Sequence, residues 1–207
     1  MPRETDRFDG DHCFIVTMPS RGKFHLYGKD PQQIKIRDIA NATSKQCRWT
    51  GHLLEDAFYS VAEHGENVSQ LLMMMGAVRS IQFQGLMHDT PEAYLSDINA
   101  PMKREIGQYY EKEALIWKRI AAKYHLPEVL DPLVKKADWL SLFIEASIFV
   151  LPEHVELMQD WVGFKEHWDD AMALKKDALM FGCFQGVDHT KARKQFLERF
   201  TELWFDR

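Results

Sequence analysis

The chain has 207 residues, 45% of them hydrophobic and 28% charged, which is the balance of a globular protein long enough to bury one core without disulfides. No run reaches the roughly 18 apolar residues of a membrane span. The formal net charge of -5 disfavours broad adhesion to duplex nucleic acid, leaving a small anionic substrate in a local basic pocket as an option. Cys13, Cys47 and Cys183 are odd in number and far apart, which argues against a disulfide framework or a cysteine zinc site. With no apolar core behind a basic start at the N-terminus, the expected location is the cytoplasm, or the host cytoplasm for a phage-encoded chain.

In chain order, residues 13–27, CFIVTMPSRGKFHLY, hold two β-prone runs around Pro19-Ser20-Arg21-Gly22 and predict a small hairpin decorating the fold. From Ile36 the pattern turns helical, with Ile36, Ile39 and Ala40 on one face and Asp38, Asn41 and Ser44 on the other, ending before Trp49-Thr50-Gly51. Ser60 with Glu63 three residues later has the capping-box spacing and opens a helix over 60–75, whose apolar stripe is Val61, Val68, Leu71, Leu72 and Met75. A second helix over 77–89 stops near Pro91, so the pair predicts a helical hairpin around Gly76. Pro101 opens one long segment through Tyr124, closed by Pro127, and Pro132 starts a helix to about Val150. Two amphipathic helices follow, 160–181 and 191–205; the apolar residues Phe196, Phe200, Leu203 and Trp204 of the last suit either a core or an interface. Without repeats or linkers, the chain reads as one all-α domain over 1–207, with an N-terminal extension (1–35), a core (36–150) and C-terminal helices (151–207).

The dipeptide His88-Asp89 means little alone, since nine histidines among the aspartates of such a chain give roughly 0.7 such pairs by chance. Its context means more. His64 lies on the stripe of Val61, Val68, Leu71 and Met75, so its imidazole points inward, although a satisfied core histidine fits the same position. Asp138 lies between Val134 and Leu142 at helical spacing, and an ionised carboxylate facing an apolar interior needs a cation; Lys135 and Lys136 could supply it, and so could a metal. Two histidines and two aspartates on three helices form a nitrogen and oxygen ligand set suited to zinc, cobalt, manganese, nickel or iron(II).

The order His64, His88-Asp89, Asp138, with AEH before the first ligand and KAD at the last, resembles the HD-domain phosphohydrolases. The stretches CRWTGH, FYSVAEH, HDTPEAYLSDI and KKADWLSLFIEA extend the likeness, over residues 36–150, to the bacterial 5'-deoxynucleotidases and the phage deoxynucleoside triphosphate triphosphohydrolases. The resemblance implies an HD-domain helical bundle holding one divalent metal on His64, His88, Asp89 and Asp138, with magnesium accompanying a triphosphate substrate. A second metal would need further histidines before Asp138, and only His125 is available, in the turn-like KYHLPE, where a surface position is expected.

By the same resemblance, Glu92 and Asp97 are the active-site carboxylates that orient water and protonate the leaving oxygen. For Glu92, a solvated place in a first helical turn after Pro91 is the plain alternative, and the catalytic role is favoured over it. Arg48-Trp49 resembles the pair with which the deoxynucleotidases hold phosphate and pack the sugar and base, with Lys103 a second phosphate contact. A surface arginine, a core tryptophan and a solvated lysine are the plain alternatives, and the LLEDA insertion before SVAEH departs from the relatives in the sugar pocket.

The implied reaction is attack of metal-activated water on the α-phosphorus of a deoxynucleotide. A deoxynucleoside triphosphate of the dATP type, releasing triphosphate, is favoured over a deoxynucleoside monophosphate. A ppGpp hydrolase is disfavoured because HDTPEA carries Ala93 where those enzymes carry an aspartate, and a non-catalytic binding module because the ligands are intact. The relatives also imply a homo-oligomer, a dimer or larger.

Overall fold

The computed structural model describes residues 14–205. Strands β1 (Phe14–Thr17) and β2 (Gly22–His25) pair antiparallel, with Phe14 opposite His25 and Thr17 opposite Gly22, around the expected turn; Cys13 lies outside the described residues. Nine α-helices follow within this span: α1 (Ile36–Thr43), α2 (Val61–Met74), α3 (Arg79–Met87), α4 (Glu92–Leu95), α5 (Ala100–Glu105), α6 (Tyr109–Tyr124), α7 (Pro132–Glu145), α8 (Phe164–Met180) and α9 (His189–Phe205). None is long and apolar enough to cross a membrane.

The hairpin is more than a decoration. Phe24 is fully buried and stacks on Tyr94 of α4, with ring centroids 3.8 Å apart. Asp38, expected on the polar face of α1, is buried because its Oδ1 accepts the Ser20 backbone N–H at 2.8 Å. Arg119 of α6 closes the seam from beneath, donating to the His25 carbonyl at 2.9 Å with its guanidinium 4.2 Å from the centre of the Phe24 ring. The hairpin thus covers a face that α1 alone would leave in water.

Two further differences have local causes. The single segment expected from Pro101 is two helices, because Ile106 takes an extended conformation (φ −83°, ψ 92°) and Gly107, the residue with the least helix propensity after proline, follows it. The helix from Pro132 stays α only to Glu145, and Ala146–Val150 continue as a π turn closed by Leu151 N–H on the Ala146 carbonyl at 2.8 Å. At the other end of the chain the question of core or interface is settled: Phe196, Phe200 and Leu203 of α9 are buried within the protein.

The part that carries His64, His88 and Asp138 rests on α2, which packs against α3, α7 and α9. Ser60 caps it as expected, accepting the Glu63 N–H at 3.2 Å. Glu63 does not return to Ser60, however. Its carboxylate accepts the backbone N–H groups of Gln185, Gly186 and Val187, each at 2.9 Å, and so ties the loop before α9 to the first turn of α2. Helices α2 and α3 cross on two glycines: a Cβ on Gly65 would lie 2.9 Å from the Leu86 carbonyl oxygen, and one on Gly85 would lie 2.3 Å from Leu72 Cδ1. Gly65→Ala therefore has to push α3 away by its backbone. A loss of about 1–3 kcal/mol is expected, read as a fall in melting temperature of several degrees, together with weaker binding of added cobalt, because the shift separates His64, just before Gly65, from His88, two residues after Leu86.

Candidate metal centre

His64 sits one turn into α2 with no solvent exposure, while His88 caps the C-terminus of α3 and Asp89 follows it. Asp138 lies halfway along α7. Three helices that pack on one another thus deliver four side chains to one point. His64 Nε2 lies 3.3 Å from His88 Nε2, 3.3 Å from Asp89 Oδ2 and 3.4 Å from Asp138 Oδ1. His88 Nε2 lies 3.3 Å from Asp89 Oδ1 and 3.8 Å from Asp138 Oδ1. Ligands bonded to one tetrahedral ion at about 2.0–2.2 Å stand roughly 3.3–3.6 Å apart, a spacing that His64 keeps to His88 and Asp138 and that the 3.8 Å between His88 and Asp138 slightly exceeds. His64, His88 and Asp138 could together hold a metal ion; Asp89, expected as a fourth ligand, touches the two histidines through different oxygens and stands at the edge of that group.

The tautomers agree with that use. His88 Nδ1 lies 2.7 Å from the Gly85 carbonyl oxygen, which can only accept, so Nδ1 carries the proton and Nε2 keeps its lone pair. His64 Nδ1 lies 2.6 Å from Glu145 Oε1, and Glu145 is ionised: burial works against its charge, but Arg48 and His64 outweigh it and hold the carboxyl below its ordinary range. His64 Nδ1 therefore donates to Glu145, and Nε2 is the nitrogen turned to the cluster.

The charges at the centre favour a cation. Asp89 and Asp138 are half-buried, which opposes ionisation, yet the histidines hold both carboxyls well below their usual values. His64 is pulled down by burial and by Arg48, but Glu145, Asp138 and Asp89 prevail and raise it well above its ordinary value. A pocket that would hold a proton on a buried imidazole this firmly also attracts a divalent ion. Lys135 takes part only from the side, donating to Asp138 Oδ2 at 2.8 Å while Oδ1 faces the histidines; Lys136 pairs instead with Asp170.

Arg48 and Trp49 stand against this cluster. A bridge between Cys47 and Ser60 fixes their loop, with Arg48 N–H donating to the Tyr59 carbonyl at 2.8 Å. Trp49 and Thr50 both adopt left-handed backbone (φ 59° and 53°), a conformation that costs a non-glycine residue on the order of 1 kcal/mol and that turns the tryptophan inward. Arg48 Nη1 lies 3.5 Å from Asp89 Oδ2, while Arg48 Nε and Trp49 Nε1 both donate to Glu145 Oε2, at 3.0 and 3.1 Å. Trp161, from the stretch before α8, meets the Trp49 ring at 5.7 Å.

Glu92 opens α4 and is almost wholly buried; its Oε1 accepts Lys103 Nζ at 2.8 Å and its Oε2 has no partner. Burial, reinforced by Asp89 and Asp97, raises its carboxyl well above the carboxylate range, against the opposing pull of Lys103. Asp97 is half-buried and also raised, by burial first, with Arg48 opposing. Lys103 donates to Glu92 and, at 3.2 Å, to Glu113, so its ammonium is committed to carboxylates rather than presented for a phosphate. His125 is exposed, as expected, and stacks on Trp204.

Sequence reasoning passed over Glu145, which touches His64, Arg48 and Trp49 at once. The signal was present: Glu145 follows Asp138 by seven residues, two helical turns, and so shares its face of α7. No family model matches the chain. It is 42% identical over 133 residues to the uncharacterized protein YfdR of Escherichia coli, an overlap covering 64% of this chain and 70% of the relative. It is also 33% identical over 137 residues to an uncharacterized protein of Rhodobacter capsulatus, covering 63% and 70% respectively.

Proposed function

The chain belongs to the same family as Escherichia coli YfdR, and for this member we propose the activity of an HD-domain, metal-dependent deoxynucleotide phosphohydrolase acting at the α-phosphorus. The observation that carries the reading is the convergence of His64, His88 and Asp138 within 3.3–3.8 Å, with Asp89 at 3.3 Å from each histidine, beside an arginine and the buried carboxyl of Glu92. A divalent ion on those four side chains supplies Lewis acidity toward a phosphoryl oxygen and lowers the pKa of water.

The chain's own residues supply the rest. Burial works against the charge on Arg48, but Glu145, Asp97 and Asp89 outweigh it, and the guanidinium stands beside Asp89 where it can neutralise a phosphoryl oxygen. Glu92 carries the proton that a departing 5'-oxygen needs, and Lys103 fixes one of its oxygens so that the other stays free. Asp97, the more exposed carboxylate, orients water. Trp49 offers its ring face to sugar or base because its indole N–H is anchored on Glu145.

A deoxynucleoside triphosphate of the dATP type, bound with magnesium and releasing triphosphate, is the leading substrate. A deoxynucleoside monophosphate is the second reading, and the commitment of Lys103 to Glu92 and Glu113 favours it, since that leaves fewer free cations for a long phosphate chain. Protein purified without chelator and supplied with cobalt or manganese, incubated with dAMP, dADP and dATP, should yield deoxyadenosine and triphosphate from dATP. Deoxyadenosine from dAMP alone establishes the second reading, and no bound metal with no product from any nucleotide overturns both.

A further inference from the structure

Glu145 is fully buried at the last α-helical residue of α7, immediately before the π turn, and both of its oxygens are engaged. Oε1 accepts from His64 Nδ1 at 2.6 Å and from Ser141 Oγ at 2.8 Å; Oε2 accepts from Arg48 Nε at 3.0 Å and Trp49 Nε1 at 3.1 Å. One carboxylate therefore faces two groups of different use, the inward histidine of the metal cluster and the left-handed turn that carries the arginine and tryptophan. We infer that Glu145 is a positioning residue that orients the His64 imidazole for metal and the Arg48–Trp49 turn for the nucleotide phosphate and base, so that the two subsites are set by one side chain. The nucleotide half of the inference rests on the phosphohydrolase reading; the metal half does not.

The chemistry of the four donors makes the point testable. All four groups around Glu145 donate, and only a carboxylate offers acceptors on both sides. An amide can serve one side only. In Glu145→Gln, an amide oxygen turned to His64 leaves the amide N–H groups against the Arg48 and Trp49 donors. Turned the other way, the amide donates to His64 Nδ1 and drives the imidazole proton to Nε2, the atom aimed at the metal. Either orientation damages one subsite, and the populations of the two set how the damage is divided.

The experiment uses the full chain, stripped of metal, in wild-type and Glu145→Gln forms. Cobalt alone is titrated calorimetrically, and KM and kcat for the nucleotide are then measured at saturating cobalt. A partner behind a metal-binding histidine is worth 10–100-fold in metal affinity or activity. The variant should bind cobalt 10–100-fold more weakly, or retain cobalt affinity and show a comparable rise in KM with a smaller change in kcat. Unchanged cobalt affinity with unchanged KM overturns the inference. If the wild type hydrolyses no nucleotide yet the variant binds cobalt more weakly, the phosphohydrolase reading fails and the role at the metal stands. If the variant does not fold, nitrogen-15 histidine spectra of the zinc-loaded wild type take its place: His64 should coordinate through Nε2 and keep a strongly hydrogen-bonded proton on Nδ1, and coordination through Nδ1 overturns the inference.

Discussion

His88→Ala should give a folded chain that holds no metal at the cluster and has lost deoxynucleotide hydrolysis by about three orders of magnitude or more. The estimate rests on the several kcal/mol of transition-state stabilisation that a Lewis acid contributes, at about 1.4 kcal/mol for each factor of ten. Folding should change far less. The Gly85 carbonyl loses a donor, and one hydrogen bond of that kind is worth about 1 kcal/mol, while Asp89 and Asp138 keep His64 as a partner. His64→Ala is the poorer experiment, because it removes a partner from the fully buried, ionised Glu145 and so mixes a folding defect with the loss of a ligand. Two measurements separate site from fold. Elemental analysis reads the metal carried through purification, and a thermal melt with added cobalt reads linkage: an ion at 100 times its dissociation constant stabilises the wild type by about 2.7 kcal/mol. The variant should show neither the metal nor the upward shift. A variant with stoichiometric metal and an undiminished rate would place the chemistry elsewhere.

The parts of this site that could be read in the sequence are those fixed by local periodicity. The stripe of Val61, Val68 and Leu71 turns His64 inward whatever packs against it, and Val134 with Leu142 does the same for Asp138. The hairpin was legible from Pro19 to Gly22, and the start of α2 from Ser60, because turn and cap chemistry act within a few residues. What escaped was set by contacts made far along the chain. Glu63 has the spacing of a reciprocal cap, but three backbone N–H groups more than 120 residues later claim its carboxylate. Asp38 reads as a solvent-facing residue until the hairpin donates to it. Glu145 reads as one more position in an apolar run, and its meaning comes from two partners 81 and 97 residues earlier. Lys103 looks free for a phosphate because neither Glu92 nor Glu113 can be placed beside it before the α5–α6 break is known. Periodicity gives the direction in which a side chain points; it does not say what waits there.

Glu92→Gln tests the acid directly, and the structure makes it an unusually clean substitution. Burial, Asp89 and Asp97 favour the protonated form of Glu92, and an amide of the same size replaces that form without its transferable proton and without a change of charge. The amide oxygen can still accept from Lys103, and the amide nitrogen falls where Oε2 is buried without a partner. Stability should therefore stay within about 1 kcal/mol of wild type, while hydrolysis of a deoxynucleotide falls by about 10²–10⁴, the usual contribution of general acid catalysis. The loss should depend on the leaving group. A 5'-alkoxide cannot depart from a sugar without a proton, whereas a nitrophenolate can, so an aryl phosphate that the wild type accepts should lose less than about tenfold. An equal loss on both substrates would mean that Glu92 serves only to hold Lys103 and α5 in place. A loss confined to the nucleotide identifies the proton on Glu92 as the one that the departing sugar oxygen takes.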